Sequence, residues 1–386
     1  MYIPIKFYDT IDINSMTNRG TLTMVHTADL HFGCMDAKVE YDILKEQLVY
    51  KLEPLHFDIF SINGDLFDRK YMSNTDAIKY ATLLIADIVA LCKRKNATLL
   101  LLAGTKEHDA GQLVLFYHYM KDPDIDIRIV ETIQFEYIKG SKVLCIPELY
   151  GIDESIYQYY LEESGPYDMC FMHGTMKGAI YKDNVGQSRL FTIEDFINCR
   201  GLIVSGHVHT GGCFNTYFYY TGSPLRWKYG EEETKGFLLI LYNLDTREHY
   251  THLEEVKSFR YDTINLDELI TSDPKDIIHY VDQLHSEGID NIRIEFSKDI
   301  PTDNLNILRN YYRTNGHIKF KIGTNKSKVQ KDELTESDLK IYEEFAFLFD
   351  NSMNAYDKTA MFIMKKEPDV YITGDEIKRI VMNDDF

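Results

Sequence analysis

The chain has 386 residues, 44% of them hydrophobic, which is enough for a sizeable core and more than one ordinary domain, and argues against disorder. Its 42 Lys and Arg against 61 Asp and Glu give a net charge of −19, a balance that disfavours unaided, sequence-blind binding to nucleic acid phosphates and requires a partner to supply any basic surface. The longest apolar runs are too short to span a bilayer, the start MYIPIKFYDTIDI lacks the charged-then-apolar pattern of a secretory signal, and the six cysteines form no CxxC pair; together these predict a cytoplasmic protein with reduced thiols and no membrane partner.

In chain order, residues 1–20 read as an N-terminal extension and 21–28 as a buried strand. A helix is expected over 38–55, a strand over 57–63, and a long helix over 74–95 capped by Asn74 or Ser73. Further strands fit 97–103, 142–147, 168–172, 201–205, 216–221 and 236–242. Short apolar runs joined by helices predict an α/β fold, layered, with helices outside the sheets; the strand order stays open. The β-α-β-α-β pattern of 256–323 reads as a separate small α+β domain, its first helix beginning near Asp273. Residues 324–334 are polar and linker-like, and 335–386 are acidic and helical with an apolar cluster around Tyr342, Phe345, Phe347, Leu348 and Phe349.

Five of the strands run into residues of the metal-ligand type. The first ends in Asp29-Leu-His31, an i, i+2 pair whose side chains point the same way. The others end in Gly64-Asp65, in Gly104-Thr-Lys-Glu107-His108-Asp109, in His173-Gly174 and in Gly206-His207-Val-His209. Sites in open α/β sheets gather beyond the carboxyl ends of strands, so five such ends form one convergent set. Carboxylate and imidazole without thiolate suit Mn²⁺, Fe²⁺ or Zn²⁺. A pair of ions about 3.5–4 Å apart, bridged by a carboxylate, can activate water and stabilise an in-line phosphoryl displacement. The glycines at 64, 104, 174 and 206 are read as allowing sharp turns at the ligands. His26, His56, His118, His249, His252, His279, His285 and His317 are read as ordinary hydrogen-bonded histidines, and Asp68 and Asp109 as caps or acceptors that support the ligands.

The order D-L-H, G-D-L-F-D, an H-D after a glycine, H-G and G-H-V-H over roughly residues 21–242 resembles the calcineurin-like metallophosphoesterase superfamily. Within it, TGSPLRWKYGEEETKGFLLI at 221–240 resembles the SbcD-type nucleases. The resemblance implies a metallophosphoesterase β-sandwich over 21–255, a DNA-capping domain over 256–323, and a tail at 335–386 that docks an SbcC-type ABC ATPase. It implies a Mn²⁺-dependent DNA exonuclease and endonuclease, acting as a homodimer in repair, recombination or replication. The chain's divergence suggests a bacteriophage version working in the host cytoplasm. Residue by residue, it implies that Asp29, His31 and His209 hold one ion, that His173 and His207 hold the other, that Asp65 bridges them, and that His108 acts in catalysis without binding metal. Where the family writes Gly-Asn-His, this loop is longer, and aligning on His108 puts Glu107 in the place of the Asn ligand. A phosphatase of the same superfamily, or a non-catalytic scaffold for the ATPase, are the alternatives.

Overall fold

In the computed structural model, strands Thr21–Thr27 (β1), Ile59–Asn63 (β2), Thr98–Leu102 (β3), Asp126–Val130 (β4), Gly236–Asn243 (β13) and His249–Glu255 (β14) form one sheet, in the order β14-β13-β1-β2-β3-β4. β1 to β4 are parallel to one another, β13 pairs antiparallel with β1, and β14 pairs antiparallel with β13 at the edge. A second sheet joins Gln134–Ile138 (β5), Ser141–Ile146 (β6), Met169–His173 (β7), Ile203–Gly206 (β10), Gly212–Asn215 (β11) and Phe218–Tyr220 (β12), in the order β11-β12-β10-β7-β6-β5. Its central strands β6, β7, β10 and β12 are parallel. Thr175–Met176 (β8) and Leu190–Phe191 (β9) make a short parallel pair.

The structure describes residues 20–109, 111–179, 189–231, 233–266, 269, 273–296, 301–322, 359–361, 363, 364 and 373. The chain divides into two compact units, one through Lys321 and one from Ile322 onward. The tail expected to be helical over 335–386 lies almost wholly outside the described residues, of which 359–361, 363 and 364 are helical.

Period-two alternation sorts the side chains of the two sheets. Met24, Ile59, Leu100 and Leu102 of the first sheet face Val143, Cys145, Phe171 and Val204 of the second, forming an apolar layer between them. The opposite face of the first sheet, with Val25, Phe60, Leu99 and Leu101, is covered by the helix Asp76–Lys95 through Ala81, Leu84, Ile85 and Ile88. The outer face of the second sheet packs Leu144, Cys170 and Ile203 against Tyr157, Leu161 and Phe196. Helices thus lie outside both sheets, as the α/β patterning requires, and the central strands are apolar at almost every position because both of their faces are buried.

The long helix begins one residue later than the caps expected from sequence. Thr75, in extended conformation, accepts a hydrogen bond from the amide of Ile78, while Asn74 and Ser73 lie outside. Asn96 closes the other end in the left-handed conformation. The first helix runs from Ala37 to Leu52 but widens to i→i+5 bonding over Lys45–Val49.

Tyr261–Asn265 (β15), Asn291–Phe296 (β16) and Ile318–Ile322 (β17) form a three-stranded sheet with the helices Pro274–Ser286 and Thr302–Tyr311. Asp273 caps the first of these through the Lys275 amide at 2.9 Å. Among the described residues, no helix is long and apolar enough to cross a membrane.

Candidate metal centre

The carboxyl ends of β1, β2 and β3 in one sheet, and of β7 and β10 in the other, meet at one rim of the sandwich. Backbone bonds fasten the loops there: the Asp29 amide donates to Gly64 O at 3.0 Å, and the His31 amide to Asp65 O at 3.0 Å. The second sheet is tied across by the His207 amide, 3.1 and 3.0 Å from the two Asp29 carboxylate oxygens. Seven non-glycine residues among those described have positive φ, and four are Asp29, His31, Asp65 and His207. Left-handed backbone at non-glycine residues costs energy and persists where the surroundings enforce it, a hallmark of functional loops.

Glycine serves two different ends here. Of Gly64, Gly104, Gly174 and Gly206, read from sequence as turn residues, only Gly64 takes a positive φ, at 90°. Gly104 and Gly206 are needed for close approach: a Cβ on the first would strike Asp65, and on the second Asn63 O and the His173 ring.

Two ligand groups result. Asp29, His31 and His209 each offer an atom within 4.8 Å of the others, and so do Asp65, His173 and His207. His31 Nε2 lies 3.0 Å from His209 Nε2 and 3.9 Å from Asp65 Oδ2. Asp65 Oδ2 is also 3.3 Å from His173 Nε2, so this one carboxylate faces both groups. All but His207 and His209 are buried; those two are partly open.

The histidines are oriented from behind. His173 Nδ1 is 2.7 Å from Asn63 O and must donate to it, which turns Nε2 toward the centre. That Nε2 is buried, with Asp65 and Glu148 oxygens 3.3 and 3.6 Å away. A lone pair aimed at two carboxylates is repulsive unless a positive charge sits between them. A proton serves in its absence, and the neighbouring carboxylates hold the His173 pKa well above the usual histidine value despite the opposing effect of burial. His209 Nδ1 is held by Glu231 Oε1 at 3.2 Å, which again leaves Nε2 for the centre. Burial opposes the charge of Glu231, but His209 and Lys235 draw its pKa down to about 2, so it orients His209 as a carboxylate.

Burial pushes the His31 pKa down to about 3, against the pull of Asp65, so the ring is neutral and able to ligate. Asp29 is raised by burial, partly offset by His173 and His209. Burial opposes ionisation of Asp65 too, but His173, His31 and His108 outweigh it and hold the carboxylate well below the ordinary range.

His108 stands at the edge of the cluster, its Nε2 4.0 Å from Asp65 Oδ2 and its ring edge-on to His31 at 4.7 Å. Its Nδ1 contacts the carbonyl of Asp68, fixing the ring, while Gln112 Nε2 holds its own carbonyl at 2.6 Å. His31, Asp68 and His108 also lie close enough together to hold an ion, so His108 has a geometric alternative to the purely catalytic role. Asp109 is buried and accepts from the amides of Phe67 and Gly104, at 3.1 and 2.9 Å, tying two ligand loops together.

Glu107 is where the structure departs from the expectation. It is exposed on the first turn after β3, whereas Glu148 is buried; neither belongs to the three-residue groups. The carboxylate that reaches the second group is Glu148, with Oε2 3.0 Å from His207 Nδ1 and 3.6 Å from His173 Nε2. Glu148 follows β6, a strand recognised in the sequence as 142–147. The rule that marks the other candidate ligands, a polar residue at or just past a strand end, applies to it equally.

The segment 221–240 wraps the first group. Trp227 Nε1 donates to Asp29 O at 3.2 Å, Glu231 orients His209, and Lys235 Nζ donates to His209 O at 2.9 Å. His26, by contrast, is packed between the sheets against Phe171 and has no part in the centre.

Imidazole and carboxylate in this number and disposition fit divalent first-row cations. No protein-family model matches the chain, and no curated protein matches it. Among 29 matching chains of solved structures, one is 12% identical and covers 61% of this chain and 100% of its own, with a TM-score of 0.40, a level of likeness that carries no argument about fold or function.

Proposed function

We propose that the rim of the sandwich holds two divalent cations, Mn²⁺ by preference, and hydrolyses phosphodiesters of DNA. The observation that carries this reading is the pair of three-residue groups, Asp29/His31/His209 and Asp65/His173/His207, with Asp65 facing both. Bound cations supply an activated water and charge neutralisation for the phosphoryl group. The chain's own residues do the rest. Asp65 keeps its negative charge between the groups, Glu231 and Asn63 O hold His209 and His173 with Nε2 inward, and His108, anchored through Nδ1, presents Nε2 to the open side to bind the phosphate or give a proton to the leaving oxygen.

The DNA substrate rests on the sequence resemblance at 221–240, and the placement of Trp227, Glu231 and Lys235 around the first group gives that segment a reason to accompany this site. From the same resemblance we propose an SbcC-type ATPase partner bound through 335–386, which would also supply the basic surface that a chain of net charge −19 lacks. The six cysteines are free thiols, in keeping with a cytoplasmic setting. The test is cleavage of linear duplex DNA with Mn²⁺ beside release of phosphate from a phosphoserine peptide. Cleavage of DNA alone is expected; activity on the peptide alone would move the reading to a phosphatase.

A further inference from the structure

The Asp65/His173/His207 group contains one carboxylate and two imidazoles, and the carboxylate is shared with the other group. Three protein ligands leave an ion held there positions that a further side chain or water can fill. Three observations converge on one side chain that can do so. Glu148 is 7% exposed, far from the norm for a glutamate, and its Oε2 lies 3.0 Å from His207 Nδ1 and 3.6 Å from His173 Nε2. Its other oxygen, Oε1, accepts from the Tyr150 hydroxyl at 2.9 Å, which pins the carboxylate and leaves Oε2 directed at the centre. The Thr105 hydroxyl stands 3.0 Å from Glu148 Oε2 and 3.1 Å from Asp65 Oδ2; having a single proton, it can satisfy only one of the two. Two buried carboxylates thus meet across one hydroxyl, with His173 Nε2 3.3 Å from one and 3.6 Å from the other, so that ligand-type atoms of four residues converge.

We propose that Glu148 is a ligand of the cation at Asp65, His173 and His207, with Thr105 spacing the two carboxylates, and that Glu107 is not. The assignment rests on the two-cation reading of the site. It has a consequence for charge. Asp29, Asp65 and Glu148 bring three negative charges against four from two divalent ions, so the loaded centre keeps one positive charge where a neutral amide ligand in the place of Glu148 would leave two. The second ion is therefore held more tightly and favours hard, oxygen-loving cations such as Mn²⁺ or Mg²⁺.

The experiment is a Mn²⁺ titration of the full-length protein, followed by electron paramagnetic resonance of the free ion and by calorimetry, so that affinity is read without catalysis. Wild type is expected to take up two ions. Glu148→Gln, which preserves shape, should keep one ion at unchanged affinity and lose about tenfold or more in affinity for the other. Glu107→Gln should match wild type. Retention of the first ion reports that Glu148→Gln is folded; should it fail to fold, Glu148→Asp carries the test, since a carboxylate drawn back by one methylene must also weaken only one ion. Two ions bound at wild-type affinity in the folded Glu148 variant overturn this assignment and leave the two-cation reading standing. Weakening in Glu107→Gln instead overturns it in favour of the loop after β3. A wild-type protein that takes up no Mn²⁺ overturns the two-cation reading, and this assignment with it.

Discussion

The sandwich and the small module at 256–322 spend their interiors differently. The rim of the sandwich buries Asp29, His31, Asp65, Asp109, Glu148, His173 and Glu231, and holds four non-glycine residues in left-handed backbone. The small module, among the described residues, buries no carboxylate, lysine or histidine side chain as a whole: its core includes Ile264, Ile277, Val281, Leu284, Ile292, Ile294, Phe296, Leu305, Leu308 and Tyr312, and its only positive φ is at Gly288. Its charges pair at the surface, as Arg293 does with Glu295 at 3.0 Å. Buried charge costs stability unless compensated, so a region that concentrates it is organised around something other than packing. The small module follows the rules of a self-consistent packing unit, and the rim violates them in one place.

The largest effect that could break this contrast concerns the shared carboxylate. Asp65→Ala should abolish Mn²⁺-dependent DNA cleavage while leaving far-ultraviolet circular dichroism unchanged, because the residue acts at the rim and does not belong to the core. Full activity in that variant would remove the two-cation reading.

Next in size is His108→Gln. If His108 stabilises the reaction without holding an ion, turnover should fall by about 10²–10⁴-fold while both Mn²⁺ ions stay bound in the titration. Loss of an ion would instead assign His108 to the group it forms with His31 and Asp68.

The small module is probed by Ile292→Ala, at a fully buried position. Removing three buried carbons should cost about 2–5 kcal/mol, read by chemical denaturation. Hydrolysis of a small synthetic phosphodiester, which needs only the rim, should be unaffected. A parallel loss of rim activity would mean that the two regions are energetically one.

The smallest expected effect separates packing from chemistry inside the sandwich itself. Burial pushes the His26 pKa down to about 3 from 6.5. The unfolded chain therefore takes up a proton below about pH 6.5 that the folded chain refuses, so stability is fully present above that pH and declines as pH falls toward 3, by on the order of a few kcal/mol. In His26→Gln this contribution should vanish, flattening the unfolding midpoint between about pH 6.5 and 4. An unchanged acid slope would place the sensitivity at other groups.

The sequence by itself determined the elements and most of the candidate site. Short, nearly continuous apolar runs marked β1, β2, β3, β6, β7, β10, β12 and β13, because strands buried on both faces have little freedom of composition. The edge strands β4, β5, β11 and β14 escaped notice, since one-sided burial leaves their alternation mixed with charge, as in DIRIV and HYTHLEE. Asp29, His31, Asp65, His173, His207 and His209 were legible because each stands at or within four residues past the carboxyl end of a strand, and parallel strands deliver those ends to the same rim. Only the tertiary structure decided what lies across from what. Within the second sheet β7 lies between β6 and β10, and the loop beyond β6 carries Glu148 to 3.0 Å from His207 Nδ1 beyond β10, a meeting that spacing along the chain does not give. Glu107 sits next to His108 in sequence, yet the helical turn Lys106–Asp109 sends successive side chains about 100° apart, leaving His108 at the rim and Glu107 in solvent. Sequence spacing carries a side chain's direction along one element; the pairing of directions between elements is a property of packing alone.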